Sequence, residues 1–190
     1  MPKVGMKPIR REALVKATIA EIGEAGSLDV TVSQIARRAG MSSALAHHYF
    51  GGKEQIFIAA MRRILSDFGD EVRQELTTAA PGQRAAGIIR ACFAPSCFAP
   101  DTISAWMTFY VMAQTNPEAL RLWRVYQSRI RSNLTHALRG KVRDPATTAR
   151  TLAALIDGLY IRAALNDPET PERATVHALD VLSLLTGGRK

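Results

Sequence analysis

The 190-residue sequence predicts an all-α fold of about nine helices. Three observations carry that expectation. Apolar residues recur at the 3.6-residue spacing of a helix through nearly the whole chain. Proline and glycine pairs cut it into helix-sized segments. No stretch alternates apolar and polar residues as a half-buried strand would, and no internal repeat is visible.

The elements follow in order. Over residues 9–22, Ala13, Leu14, Ala17, Ile19 and Ala20 fall near helical spacing with charges opposite. Pro8 suits a first turn and Gly26 a stop. Thr31 is placed to cap a short helix over 32–39, which Gly40 interrupts. Ser42 starts another that runs to about Tyr49, before Gly51-Gly52. A longer helix covers 53–76, with the stripe Ile56, Phe57, Ala60, Ile64, Leu65, Phe68 and Val72. After the break at Pro81-Gly82, helices are expected over 83–93, 102–114, 117–138, 145–165 and 171–185. Pro95 and Pro100, Asn116-Pro117, Gly140 with Asp144-Pro145, and Asp167-Pro168 separate them.

Composition narrows the function classes. The longest apolar run, 151–165, is broken by Asp157 and Arg162, short of the roughly 18 uninterrupted apolar residues of a spanning helix. Lys3, Lys7, Arg10 and Arg11 are followed by Glu12, Lys16, Glu21 and Glu24, the pattern of an amphipathic helix and not of a signal peptide. A cytoplasmic protein without a membrane partner is expected. Cys92 and Cys97 lack the paired spacing of a zinc site and read as core residues. The sequence has no P-loop, dinucleotide turn, nucleophile elbow or telling pair of carboxylates, so no enzyme, cofactor or metal is expected. The net charge of +8 favours a polyanionic partner. Residues 1–53 hold eight Lys/Arg against four Asp/Glu, an excess of +4 in little more than a quarter of the chain.

The basic segment contains Val32-Ser-Gln-Ile-Ala-Arg-Arg-Ala-Gly-Met-Ser-Ser-Ala-Leu-Ala-His-His-Tyr-Phe50. Two short helices that cross closely need a small residue at the crossing, which Ala36 supplies, and a turn residue that accepts positive φ, which Gly40 supplies. Ile35, Ala39, Met41 and Ala46 fall on the shared inner face. Ser42, Ser43, Ala44, Leu45, His47 and His48 are left for the outside. This is a helix-turn-helix, its second helix suited to the major groove of double-stranded DNA. Thr31, Tyr49 and Lys53 carry donors near helix ends, suited to phosphate oxygens. Ser43 can bond to base edges, Ala44 and Leu45 can meet thymine methyls, and His47 and His48 can reach either bases or phosphates. Arg37-Arg38 reads equally well as a solvated face or a phosphate contact.

At Tyr49-Phe50 and Lys53 the sequence resembles the tetracycline-repressor family, whose recognition helix ends in a Tyr-Phe pair followed by a Lys that opens the fourth helix. One departure is His47, where members often carry an aromatic residue. The resemblance spans the chain. It implies an N-terminal three-helix DNA-binding domain over 1–53 and a C-terminal helical ligand-binding and dimerisation domain over 54–190. A closer similarity is to the choline-responsive branch of that family. It rests on Met1-Pro-Lys-Val-Gly-Met6, Ser43-Ala-Leu-Ala-His-His-Tyr-Phe-Gly51, Ala105-Trp-Met-Thr-Phe-Tyr110, Arg129-Ile-Arg-Ser-Asn-Leu134 and Ala154-Leu-Ile-Asp-Gly-Leu-Tyr-Ile-Arg162. It implies a homodimer on a near-palindromic operator. The dimer would repress genes of choline uptake and glycine betaine synthesis until choline, the small-molecule effector, relieves them. The family's dimer is a four-helix bundle of the last two long helices, here 145–165 and 171–185, whose apolar residues Ala153, Ala154, Ile156, Leu159, Val176, Leu179, Leu182 and Leu185 read equally well as dimer surface or as the chain's own core.

Choline is a quaternary ammonium with no N–H to donate, so a site for it must use aromatic faces, to which a carboxylate can be added. Trp106, Phe109, Tyr110, Trp123, Tyr126 and Tyr160 all fall in the second half of the chain. Trp106, Phe109 and Tyr110 share one helical face, and Asp157 lies one turn before Tyr160 in an otherwise apolar helix. The alternative is that these aromatics are core and that Asp157 pairs with Arg129, Arg131 or Arg162. A same-fold repressor that senses a drug or lipid is the second functional reading. The helix over 53–76 touches both halves and is the expected lever between effector and head.

Overall fold

A computed structural model describes residues 6–26, 29–165 and 170–187. The matching piece at Met1–Gly5 and the breaker Asp167-Pro168 lie outside them. The described residues form α1 (Met6–Ala25), α2 (Val32–Arg38), α3 (Ser43–Phe50), α4 (Lys53–Thr78), α5 (Arg84–Cys92), α6 (Pro100–Ala113), α7 (Pro117–Leu138), α8 (Pro145–Ala164) and α9 (Pro171–Leu185). No strand occurs among them, and none of these helices is long and apolar enough to cross a membrane.

Helix boundaries follow local chemistry. The side chains of Ser42, Asn116, Asp144 and Thr170 each accept a hydrogen bond from the first turn of the helix they open, closing donors that the helix leaves unpaired. Pro117, Pro145 and Pro171 then occupy the first turn, where a missing N–H costs nothing. Pro100 departs from expectation: it opens α6 in the same way instead of separating helices. α1 is longer than its apolar pattern predicts, because Pro8 fits inside its first turn.

One apolar core runs from Leu14 in α1 to Ala178 in α9. Phe57, Met61, Ile88, Ile89, Phe109, Ile130 and Leu134 are wholly enclosed, each worth about 1.5–3 kcal/mol of burial. α4 packs on α5, α7 on α8, and α6 is wedged among α1, α7 and α8. α1 and α6 approach closely at Gly23 of α1. A methyl group there would lie 2.3 Å from Cβ and 2.7 Å from Cα of Asp101, at the start of α6.

Candidate DNA-reading helix pair and effector site

The helix pair is built as its sequence demands. Thr31 Oγ1 accepts from the Gln34 N–H at 3.2 Å, and Gln34 Oε1 accepts from the Thr31 N–H at 2.7 Å, a reciprocal cap that fixes the start of α2. Ala36 is buried at the crossing, and Gly40 turns the chain with φ +67°. The Met41 N–H then returns to the Ala36 carbonyl at 2.8 Å. Ser33 and Ser43 join the two helices through their hydroxyls at 3.2 Å. Ile35 and Ala46 are buried between the helices, with Ala39 and Met41 half-buried.

All nine residues expected at DNA reach the surface. Thr31, Ser42, Ala44, His47, His48 and Lys53 are exposed; Ser43, Leu45 and Tyr49 are half-buried. Several also hold the motif together. Ser42 Oγ caps the Leu45 N–H at 3.2 Å. His47 Nδ1 lies 3.1 Å from the Gly51 carbonyl, tying the ring to the end of its own helix. His48 meets Tyr49 edge-on, with centroids 5.6 Å apart. The pattern did not single out Arg11, which donates to the Tyr49 carbonyl at 2.5 Å and lies 4.1 Å above the Phe50 ring. Arg38 has a structural partner: it bonds to Glu21 at 2.6 Å and to Glu24, clamping α2 onto α1. Arg63 joins α4 to Glu12 of α1 in the same manner.

In the second half of the chain Trp106 is central. Its ring centroid lies 4.7 Å from Tyr126, 5.8 Å from Phe109 and Tyr110, and 6.3 Å from Tyr160. Beside them, Asp157 accepts from the Tyr110 hydroxyl at 2.9 Å and from Gln127 Nε2 at 3.0 Å. Burial pushes the Asp157 carboxyl up from the ordinary range, against the pull of those two hydrogen bonds. Burial also raises the Tyr110 phenol, so it stays a donor at neutral pH. Arg131 turns to the backbone, its Nε donating to the Gln127 carbonyl at 3.0 Å. Six of the seven expected effector residues therefore form one cluster, in which Phe109, Trp106, Tyr126 and Tyr160 are also core. Tyr160 offers only its ring, since its hydroxyl donates to the Cys92 carbonyl at 2.5 Å, near that of Cys97 at 3.1 Å.

Trp123 stands apart: among the described residues its indole N–H is buried with no acceptor, and no ring contact joins it to the cluster. Gln127 was missed by pattern, although an amide among Trp123, Ile130 and Leu134 on one helical stripe is a readable oddity. An open groove of about 640 Å³ lies elsewhere, between α4 and α7. Leu65, Phe68, Leu76, Leu122 and Tyr126 form its apolar wall, and Arg62, Arg73 and Arg129 lie on its rim. Only Tyr126 is common to groove and cluster. Cys92 and Cys97 are free and buried, and burial raises both thiols, Cys97 to about 11. On α8 and α9, Ala153, Ile156 and Leu159 are spent on the chain's own core. Ile161, Leu165, Val176, Leu184 and Leu185 remain exposed.

Comparison with known proteins agrees from end to end. The family described as "Bacterial regulatory proteins, tetR family" matches residues 14–60, and "BetI-type transcriptional repressor, C-terminal" matches residues 81–186. The HTH-type transcriptional regulator BetI of Brucella anthropi is 47% identical over 195 residues, covering 100% of both chains. That of Rhizobium meliloti is 47% identical over 179 residues, covering 93% of this chain and 88% of its own. Among solved structures, a transcriptional regulator from Saccharomonospora viridis in complex with choline has a TM-score of 0.82 at 24% identity, covering 91% of this chain and 95% of that one. A TetR transcription regulator from Haloarcula marismortui has a TM-score of 0.83 at 24% identity, covering 94% and 98%. These two bear on the fold alone.

Proposed function

The chain belongs to the TetR family of bacterial transcription regulators and carries a BetI-type repressor domain, and from that premise we propose that it represses choline-uptake and glycine betaine synthesis genes until choline binds beside Asp157. Regulators of this family are not enzymes; they bind operator DNA and answer to small-molecule effectors. The observation that carries the choline reading is a half-buried carboxylate set against aromatic rings: Asp157 bonded to Tyr110, with Trp106 5.8 Å from the Tyr110 ring. A trimethylammonium group satisfies such a site by charge and by ring faces, without donating a hydrogen bond. Burial raises the cost of the bare carboxylate, and a cation relieves that cost.

On the DNA side the protein acts as a homodimer, the exposed side chains of α8 and α9 meeting their copies, with residues 1–53 as the DNA-binding part and 54–190 as the effector and dimer part. Two α3 helices then enter successive major grooves about 34 Å apart on a near-palindrome. Ser42, Ser43, Ala44 and Leu45 face base edges, while Thr31, His47, His48, Tyr49 and Lys53 face bases or phosphates. A cytoplasmic location follows from that role.

A mobility-shift titration on the chain's own upstream intergenic DNA, at one stated salt concentration, tests both halves. Saturable binding that competitor DNA does not remove, and that choline weakens, is expected. 3,3-Dimethylbutan-1-ol, the uncharged isostere of choline, should leave it unchanged. Specific binding that neither compound moves would overturn the effector. The groove between α4 and α7 favours a second reading, an amphiphilic drug or lipid as the signal; release by such a compound and not by choline would establish it.

A further inference from the structure

We infer that the open groove between α4 and α7 is a second binding site, built for an anion: a single apolar chain lies along the groove, and a phosphate monoester head sits at its α5 end. The inference goes beyond the choline reading and does not depend on Asp157.

The groove has two parts. The first, of about 640 Å³, follows α4 from Leu65 to Leu76, about 16 Å at roughly 1.5 Å per residue. Phe68, Val72 and Leu122 line it, and Val125 stands 43% exposed at its side. The second, of about 330 Å³, lies between Arg84 and Ile88 of α5 and the last turns of α7. Leu76 and Asn133 border both parts, so the apolar part opens directly into the polar one. Each volume falls in the range of roughly 300–1,000 Å³ usual for small-molecule sites.

Charge selects the ligand. Five arginines line the two parts, Arg62, Arg73, Arg84, Arg129 and Arg139, and no carboxylate does. Arg62 and Arg73 are held by Glu118 and Asp70. The guanidinium groups of Arg84, Arg129 and Arg139 make no hydrogen bond or ion pair among the described residues. A concave wall of unmatched cations attracts an anion and repels a quaternary ammonium. Groove and Asp157 cluster therefore take ligands of opposite sign, although Tyr126 borders both.

The donors define the head. Arg84 and Arg139 each present a planar fork, with the Ser132 and Thr135 hydroxyls and the Asn133 amide beside them. A carboxylate has two oxygens to offer so many donors, whereas a phosphate monoester has three and suits the guanidinium fork. The apolar part defines the tail. Free phosphate would leave Phe68, Val72 and Leu122 facing water, and an alkyl chain covers them.

The test is isothermal titration calorimetry of the full-length protein with dodecyl phosphate, below its micelle-forming concentration and at one fixed salt concentration. One molecule per chain is expected. Inorganic phosphate, dodecyl maltoside and dodecyltrimethylammonium should each bind at least about tenfold more weakly, since they lack the chain, the charge or its sign. An uncharged detergent that binds as well overturns the anion site, and dodecanoate that binds as well overturns the phosphate head. Arg84→Gln combined with Arg139→Gln, both exposed and with folding checked by circular dichroism, should weaken dodecyl phosphate at least about tenfold. Arg37→Gln, on α2, should leave it within about twofold. The reverse result would put the ligand on the DNA-binding helices and overturn the inference. Saturating choline and Asp157→Asn should each leave dodecyl phosphate affinity within about twofold, and displacement by choline would merge the two sites and overturn the second. Should wild type bind no choline, the effector reading fails by itself, while the groove is still judged by the arginine pair.

Discussion

A carboxylate inside an apolar helix is costly, and Asp157 offsets that cost with two neutral donors from α6 and α7. The arrangement fixes how the site depends on pH. Burial holds the folded-state pKa of Asp157 above its ordinary value, so between those two values the folded chain keeps a proton that the unfolded chain has released. Stability therefore falls as pH rises through that window. Choline requires the ionised form, so its affinity rises with pH through the same window and levels off above the raised value. Calorimetric titrations between about pH 4 and about pH 8 should show this, with a proton released on binding; an affinity flat across the range would remove Asp157 from the site. Asp157→Asn should abolish the choline response and leave ligand-free operator affinity within about twofold, since the new amide oxygen can still accept from the Tyr110 hydroxyl. At this scale Asp157 and Tyr110 were legible, as a lone acid in an apolar stripe and as part of an i, i+3, i+4 aromatic set. Gln127 was not legible as their partner, because periodicity shows which face a residue occupies and not what lies across from it.

Helices were legible where a capping side chain and a proline stand together, as at Asn116-Pro117, Asp144-Pro145 and Thr170 before Pro171. The turn at Gly40 could be read for the same reason, since its positive φ excludes most other residues. Thr31→Ala, which removes the reciprocal cap of α2, should cost about 1 kcal/mol in chemical denaturation and weaken operator binding with it. Arg38 shows what the pattern alone leaves open. Two adjacent arginines on a DNA-binding helix look alike, yet one is clamped to Glu21 and Glu24 from a different helix. Its exposed ion pairs add little to global stability, so Arg38→Ala should barely move the melting temperature. It should still reduce operator affinity several-fold, measured by mobility shift, because α2 loses its anchor to α1. Equal losses in both measurements would instead mark Arg38 as a general stability residue.

For the whole molecule, the apolar core is continuous from α1 to α9, so the head does not hang from the body by a linker. A change in the body reaches the head through packed helices. That continuity could not be read from the chain, because the meeting of Gly23 with Asp101 joins residues far apart in sequence. The outer face of α8 and α9 was half legible. Val176 and Leu185 are exposed, whereas Ala153, Ile156 and Leu159 are buried in the chain's own core; Ile161, Leu165 and Leu184 are exposed as well. Leu184→Glu should convert a dimer to monomers in sedimentation velocity and weaken operator binding at least tenfold, since each head then binds alone. A charged variant that stays dimeric would move the interface elsewhere.

Both tryptophans, Trp106 and Trp123, lie in the effector half, and the helix-turn-helix has none. Trp106 is packed against Tyr110 and Tyr126, and the Trp123 indole N–H is closed off from solvent. The chain thus carries its own optical probe, and carries it on one side only. A cation bound beside the Trp106 ring would change the ultraviolet emission directly, while the helix-turn-helix, which holds no tryptophan, adds no signal of its own. The intensity of unlabelled protein therefore reports the state of the effector cluster whether or not the operator is bound.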